Sequence, residues 1–529
     1  MKEKLNKNEE LDEDKDYENL TIAKEKKKIP NKIKIFTIII LSLIEIVIGT
    51  LIFILYFNLL KGKDNYDKHI KENNPNLEAK IINENTSYSF KAIYNTNSTN
   101  KSIKLIDPLY VKNIKEISID NVKIKPCSNY TFSSIGNYTI TMLLDISNIT
   151  SLNKMFYLVR NMTSISFTPQ FNTENITDMS YMFLYDSQLK SIDISTFKTN
   201  NVIDMCYMFS NCDSLTSINL YNFNTQKVRN MSYMFSCSKF TSLDLSKFDT
   251  QNLTNMYSMF SNCHSLTNIN INNFNFENVV DMSYLFSYCD SLTSINLSGF
   301  NTKSVLKISF MFKHCILLSS IDLSHLITTN VKEMNSLFED CISLKSVDFS
   351  NFNTENVITM GSMFFNCTSL TSIDLNNFKT FNVRRMSYMF YNCNSLKLVN
   401  LTNFNTTNLV NINSMFEKCS NISYLNITNF NTGNLKEMQY LFAGCDLLRS
   451  IDLSSFTTKK IKYMDGMFYK CYHLQKIDIS SFDSNAKCDF IFDKDIPPSG
   501  TIRLNKNITS KLSNRLPKLW TFHLVTPKY

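Results

Sequence analysis

The chain predicts an α/β repeat solenoid: a stacked array with a parallel sheet and short helices, preceded by one membrane-length apolar segment and a small β-rich region. Three observations carry this. A block of about 26 residues recurs from roughly Asn153 to Ser481, and a period in this range marks an array in which each unit touches mainly its neighbours. Within each block, an alternating apolar run is followed by apolar residues at helical spacing. Far upstream, residues 35–60 read IFTIIILSLIEIVIGTLIFILYFNLL, long enough to cross a bilayer.

The elements follow in chain order. Residues 1–34 are highly charged and end in a lysine-rich stretch, with Lys24, Lys26, Lys27, Lys28, Lys32 and Lys34 before the apolar segment and Lys61 and Lys63 after it. The segment is too long, and too far from the start, for a cleaved signal peptide. The lysine bias favours a signal-anchor helix in the plasma membrane, with a cytoplasmic N-terminus and the repeats outside. Glu45 sits near its centre. Two readings stand there: a carboxyl group that helps the helix dimerise, or a protonated acid tolerated in an apolar helix. Residues 61–84 read as a polar stalk. Residues 85–150 hold short β-type runs, among them SYSFKAIY, EISIDNVKI and NYTITMLLDI, and predict a small β domain or N-terminal cap. The run YTFSSIGNYTITMLLD is similar to the last hairpin of many bacterial immunoglobulin-like and polycystic-kidney-type domains.

The array spans 151–482, with about twelve clear units after a degenerate first one. One unit shows the physics. Leu215, Ile218 and Leu220 form an LxxIxL run in which Ile218 and Leu220 share one side of a strand. Phe223 enters the core. Val228, Met231, Met234 and Phe235 then recur at i, i+3, i+6 and i+7, the spacing of one face of a short helix. At about 1.5–3 kcal/mol per buried apolar side chain, the gross driving force is large before entropy is subtracted. One unit, from Met231 to Met256, is a residue short. Residues 483–529, with the single Trp520, read as the C-terminal cap that an array needs.

The repeated form MSxMFxxCxxLxxIDLSxFNTxNVxD resembles leucine-rich repeats of the BspA type, over roughly the 60% of the chain in the array. The resemblance implies a leucine-rich-repeat horseshoe or gently curved solenoid on a cell surface, in adhesion or partner binding. No LPxTG sorting signal is present: Leu516-Pro517-Lys518-Leu519 is not one. Attachment by residues 35–60 is the consistent alternative.

The 529 residues carry a net charge of +8, with no basic stripe interleaved with aromatics, which argues against a nucleic-acid partner. Only 9 Gly and 9 Pro occur, so asparagine is expected at left-handed turn positions that glycine usually fills. Eleven of the 14 cysteines fall on one ladder: Cys212, Cys237, Cys263, Cys289, Cys315, Cys341, Cys367, Cys393, Cys419, Cys445 and Cys471. No CxxC occurs, and in-register neighbours rarely reach disulfide torsion. The ladder therefore reads as buried thiols. Asp186 takes the ladder position in the first clear unit, where a less buried capping rung is expected. No GxSxG, Walker loop or HExxH is present, and no cofactor or metal is expected.

Two sets of residues are candidates for function. The strand position between Ile and Leu is always polar: Asp193, Asn219, Asp244, Asn270, Asn296, Asp322, Asp348, Asp374, Asn400, Asn426, Asp452 and Asp478. It reads either as a concave face offering amides and carboxylates to a protein or glycan ligand, or as a solvated sheet face. Sequons occur at Asn129, Asn137, Asn161, Asn230, Asn252, Asn296, Asn366 and Asn426 among others, compatible with a glycosylated ectodomain. Adhesion or recognition is the leading functional expectation, and a coat or spacer without a specific ligand is the alternative.

Overall fold

A computed structural model describes residues 88–482, 491–492, 496–506 and 519–525. The chain divides into two compact units, Met1–Thr86 and Ser87–Tyr529. The first unit, with the expected tail, membrane helix and stalk, lies outside the described residues. Among the described residues no helix is long and apolar enough to cross a membrane.

The second unit is a β-solenoid of stacked parallel coils. Its N-terminal part closes the array. Strands β1 (Phe90–Thr96), β3 (Ile114–Ile119), β4 (Val122–Ile124), β6 (Gly136–Leu144), β7 (Met162–Phe167) and β8 (Ser191–Asp193) form one sheet in the order β4-β3-β6-β1-β7-β8. β1 runs antiparallel to β7, and β7 is parallel to β8, the first strand of the regular coils. The cap thus shares the solenoid's sheet, and its Phe90, Ala92 and Tyr94 are buried in the same core. The short β5 (Asn129–Thr131) pairs with β2 (Ser102–Lys104), not with β6, so the hairpin suggested for YTFSSIGNYTITMLLD does not form.

Along the coils the sheet is a series of short parallel pieces in 26-residue register, such as β11 (Ser320–Asp322) on β12 (Ser346–Asp348). At the C-terminal end β15 (Ser450–Asp452), β16 (Lys476–Ile479), β17 (Thr501–Asn505) and β18 (Thr521–Val525) form a four-stranded parallel sheet. Trp520 is buried there and donates its indole N–H to the Pro497 carbonyl at 2.9 Å.

The expected short helices are absent from the coils. The apolar residues at that spacing are buried as expected: Val228, Met231, Met234 and Phe235 are all 0% exposed. The backbone, however, is a run of turns with two left-handed residues four positions apart in each coil, such as Tyr207 (φ 55°) and Asn211 (φ 56°). A left-handed non-glycine residue cannot continue a right-handed helix and costs about 1–2 kcal/mol. The compensation is hydrogen bonding between coils. Alternate N–H groups of Met205, Tyr207, Phe209 and Asn211 donate to carbonyls of Asn230, Ser232, Met234 and Ser236 in the next coil, at 2.9–3.0 Å. A helix would have kept those donors within itself.

Side chains repeat the same logic. Buried Thr354 donates to the Lys379 carbonyl at 3.0 Å and accepts from the Lys379 N–H at 2.7 Å. Asn356, Asn382 and Asn408 donate their amides to carbonyls 27 residues earlier, at 2.7–2.9 Å. The asparagine richness therefore has a structural use, and Asn211, Asn262, Asn366 and Asn392 also take left-handed turn positions. Through the core runs a continuous phenylalanine stack from Phe156 to Phe492, with centroids 5.3–6.1 Å apart and planes within 17°.

The cysteine ladder is a column of free, buried thiols with one correction. Each thiol donates to a phenylalanine carbonyl of the preceding coil, as Cys341 does to Phe312 at 3.0 Å. In the shortened unit Ser238 fills this slot and donates to Phe209 at 3.1 Å, while Cys237 shifts to a half-buried left-handed position. Burial pushes the ladder thiols up, Cys315 to about 12. Alkylation of the folded chain should therefore label Cys237 and leave Cys315 and Cys341 unmodified until unfolding, as read by peptide mass spectrometry. Cys341→Ser, which copies Ser238, should cost less stability than Cys341→Ala, by about 1 kcal/mol in denaturant titrations.

Candidate functional site

The strand position that is always polar lies on one exposed face. Asp193, Asn219, Asp244, Asn296, Asp322, Asp348, Asp374, Asn400 and Asp452 are exposed there, and Asn270, Asn426 and Asp478 are half-buried. Each has a local duty as well. Its Oδ1 accepts the N–H two residues on, at 2.8 Å for Asp322 and Asp348, 3.0 Å for Asn219 and Asn296, and 3.1 Å for Asn400. This turn ends the strand. Aspartate and asparagine share the accepting oxygen, so the two alternate freely down the column. Hydrogen bonds from the following serine hold the Asp193, Asp244 and Asp322 carboxyls below the usual carboxylate range. The second oxygen of Asp322 lies 3.9 Å from His325 Nε2 and that of Asp478 lies 3.5 Å from the Arg503 guanidinium.

The face is not uniform. A concavity of about 510 Å³ is lined by Ser320, Asp322, Ser346, Asp348, Asp374 and Asn377 among others, bringing three of the candidate carboxylates together. Among the described residues no group of His, Cys, Asp and Glu is arranged to hold a metal ion. Two residues before the polar column, Ser191, Ser217, Ser242, Ser294, Ser320, Ser346, Ser372 and Ser450 occupy equivalent places. In two adjacent coils that place holds Leu398 and Tyr424, exposed by 66% and 61%. In the same two coils the column residue is Asn400 or Asn426, while Asp374 and Asp452 flank them. A neutral, partly apolar island thus interrupts an acidic face. The substitution was visible in the sequence as a break in the serine column.

Away from this face, Asp290 accepts from or pairs with two imidazoles, His264 Nδ1 at 2.7 Å and His314 Nδ1 at 3.1 Å. These residues come from three successive coils, 26 and 24 residues apart. They tie the coils together on the turn face.

The sequons fall into two groups. Asn129 and Asn137 are exposed in the cap. Asn161, Asn230, Asn252, Asn296 and Asn366 each donate their amide to a neighbouring segment or coil, as Asn252 does to the Gln226 carbonyl at 2.8 Å. Asn426 is half-buried and uses its oxygen in the local turn.

A family model described as Mycoplasma protein of unknown function, DUF285, matches residues 127–242, 236–341, 318–424 and 394–494. None of the curated proteins matches the chain. Among solved structures it is similar to a leucine-rich repeat protein from Bacteroides ovatus, with 18% identity, 75% of this chain and 89% of that chain covered, and a TM-score of 0.44. A leucine rich cell surface protein from Faecalibacterium prausnitzii gives 15% identity, 65% and 84% coverage, and a TM-score of 0.37. The pneumococcal vaccine antigen PcpA gives 12% identity, 69% and 80% coverage, and a TM-score of 0.30.

Proposed function

The chain belongs to the family described as Mycoplasma protein of unknown function, DUF285, and from that premise we propose that its solenoid is a partner-binding surface displayed outside the cell. The observation that carries this is the Leu398–Tyr424 island. A strand position that is merely structural holds serine, as eight other coils do. A leucine and a tyrosine there instead leave most of each side chain to solvent, and aromatic residues ringed by polar ones are where protein interfaces concentrate their energy. Display outside the cell is supported by the membrane-length run at residues 35–60 and the lysines before it.

The test restores the majority residue. The full-length chain carrying Leu398→Ser and Tyr424→Ser should keep its thermal transition and lose binding to the cells or matrix coatings that the parent recognises. Retained binding sinks the assignment of this island. Topology has its own check. On intact producer cells, protease should clip the repeats while an N-terminal tag survives; repeats protected until lysis would end the surface reading.

A further inference from the structure

Another exposed break in the repeat is Tyr221, in the turn that follows the polar column. It lies two residues after Asn219 and is 68% exposed, at a place where equivalent coils carry small polar residues such as Ser246, Asn272 and Ser298. It borders a concavity of about 460 Å³ that is also lined by Asn222, Asn224, Gln226, Lys247 and Asp249. Asn222 is partly committed, donating its amide to the Ser195 carbonyl at 3.0 Å, and the Asn224 oxygen accepts the Gln226 N–H at 3.0 Å. The Lys247 ammonium stands 5.4 Å from the Tyr221 ring centroid. Among the described residues it has no carboxylate within ion-pair distance.

An open aromatic ring beside amides and a cation is the chemistry that recognises a sugar. The apolar C–H face of a pyranose covers the ring, and its hydroxyls exchange hydrogen bonds with amide groups that both donate and accept. Buried tyrosines in a core need no such rim, and a protein hot spot would be expected to carry more apolar surface than one ring. We propose that the Tyr221 concavity is a saccharide subsite that takes one pyranose unit of a glycan lying on the exposed face. Tyr221 stacks on the ring, Asn224 and Gln226 meet its hydroxyls, and Lys247 meets an oxygen substituent. The proposal rests on the partner-binding reading of this face and adds the class of ligand.

The experiment uses the full-length chain with two hexasaccharide probes, neutral cellohexaose and the acidic oligomer of galacturonic acid, followed by ligand-observed NMR and calorimetry. Binding of either probe is expected. Tyr221→Ser, the residue of equivalent coils, should weaken it roughly tenfold while Tyr221→Phe retains it. Lys247→Ser then separates the sources: it lowers affinity for the acidic probe well below that for the neutral one if Lys247 reads a carboxylate, and equally for both if it reads a hydroxyl. Absence of binding by both probes at millimolar concentration overturns the subsite, as does binding that survives Tyr221→Ser with an unchanged Kd. Cell binding that still depends on Leu398 and Tyr424 would, in that event, leave the preceding reading standing, so the two fail separately.

Discussion

Replacing Asp186 with cysteine is expected to stabilise the protein, and to do so more at pH 8 than at pH 5. Asp186 is not on the less buried capping rung that its place in the first unit suggests: it is 0% exposed. Its Oδ1 accepts the Val159 N–H at 2.8 Å, and its Oδ2 has no partner. The equivalent atom elsewhere is a thiol or the Ser238 hydroxyl, each donating a proton to a phenylalanine carbonyl. Asp186 makes no such bond, and a carboxylate buried with one oxygen unpartnered is disfavoured against the neutral acid. Burial pushes its carboxyl well above the usual range, against the Val159 N–H and the Lys104 ammonium, which pull it down. The other titratable groups that face it are Tyr94 and Cys212.

The sign follows from proton counting. The unfolded carboxyl titrates near about 3.9, so above that pH the folded state holds one proton more than the unfolded state. Stability is therefore full below the unfolded value and is lost as pH rises towards the raised folded value. The slope is about 1.4 kcal/mol per pH unit within that window. Guanidinium titrations of parent and Asp186→Cys at several pH values between 5 and 8 should show the difference growing with pH. A constant difference would mean that Asp186 is ionised in the folded protein.

The second large effect is expected from Phe338→Ala. Phe338 is 0% exposed, stacks between Phe312 at 5.6 Å and Phe364 at 5.9 Å, and meets Phe349 edge-on. Truncating a buried phenylalanine costs about 3–5 kcal/mol. Because each coil touches mainly its neighbours, the loss weakens two interfaces and leaves distant coils intact. Denaturation should then split into two transitions. A single transition shifted as a whole would show that the array unfolds as one cooperative body.

The burial pattern was legible in the sequence because both conformations that the spacing allows bury the same side chains. Val228, Met231, Met234 and Phe235 point inward whether the segment is a helix or a run of turns. What distinguishes the two is backbone handedness, and tyrosine at Tyr207 or Tyr233 carries no local signal for a left-handed residue. Cys237 was misplaced for a related reason. A one-residue deletion keeps the letter near its expected place, but the buried slot is filled by whichever side chain faces inward, and that is Ser238. The polar column was recognisable as polar, yet its use in ending strands depends on an oxygen reaching a backbone N–H two residues on. The Leu398–Tyr424 and Tyr221 positions were visible only as departures from the repeat, and acquired meaning once their side chains proved to be exposed.

Every coil offers the same hydrogen-bonding groups to the one before it and the one after it, so a whole coil inserted between Tyr221 and Leu398 meets matching surfaces on both sides. Such an insertion adds about 4.8 Å to the distance between the two positions without altering either. The number of intervening coils is thus a ruler. Duplication or loss between near-identical blocks of the gene would retune the span over which a two-point ligand can be held, in fixed steps, while the fold itself stays the same.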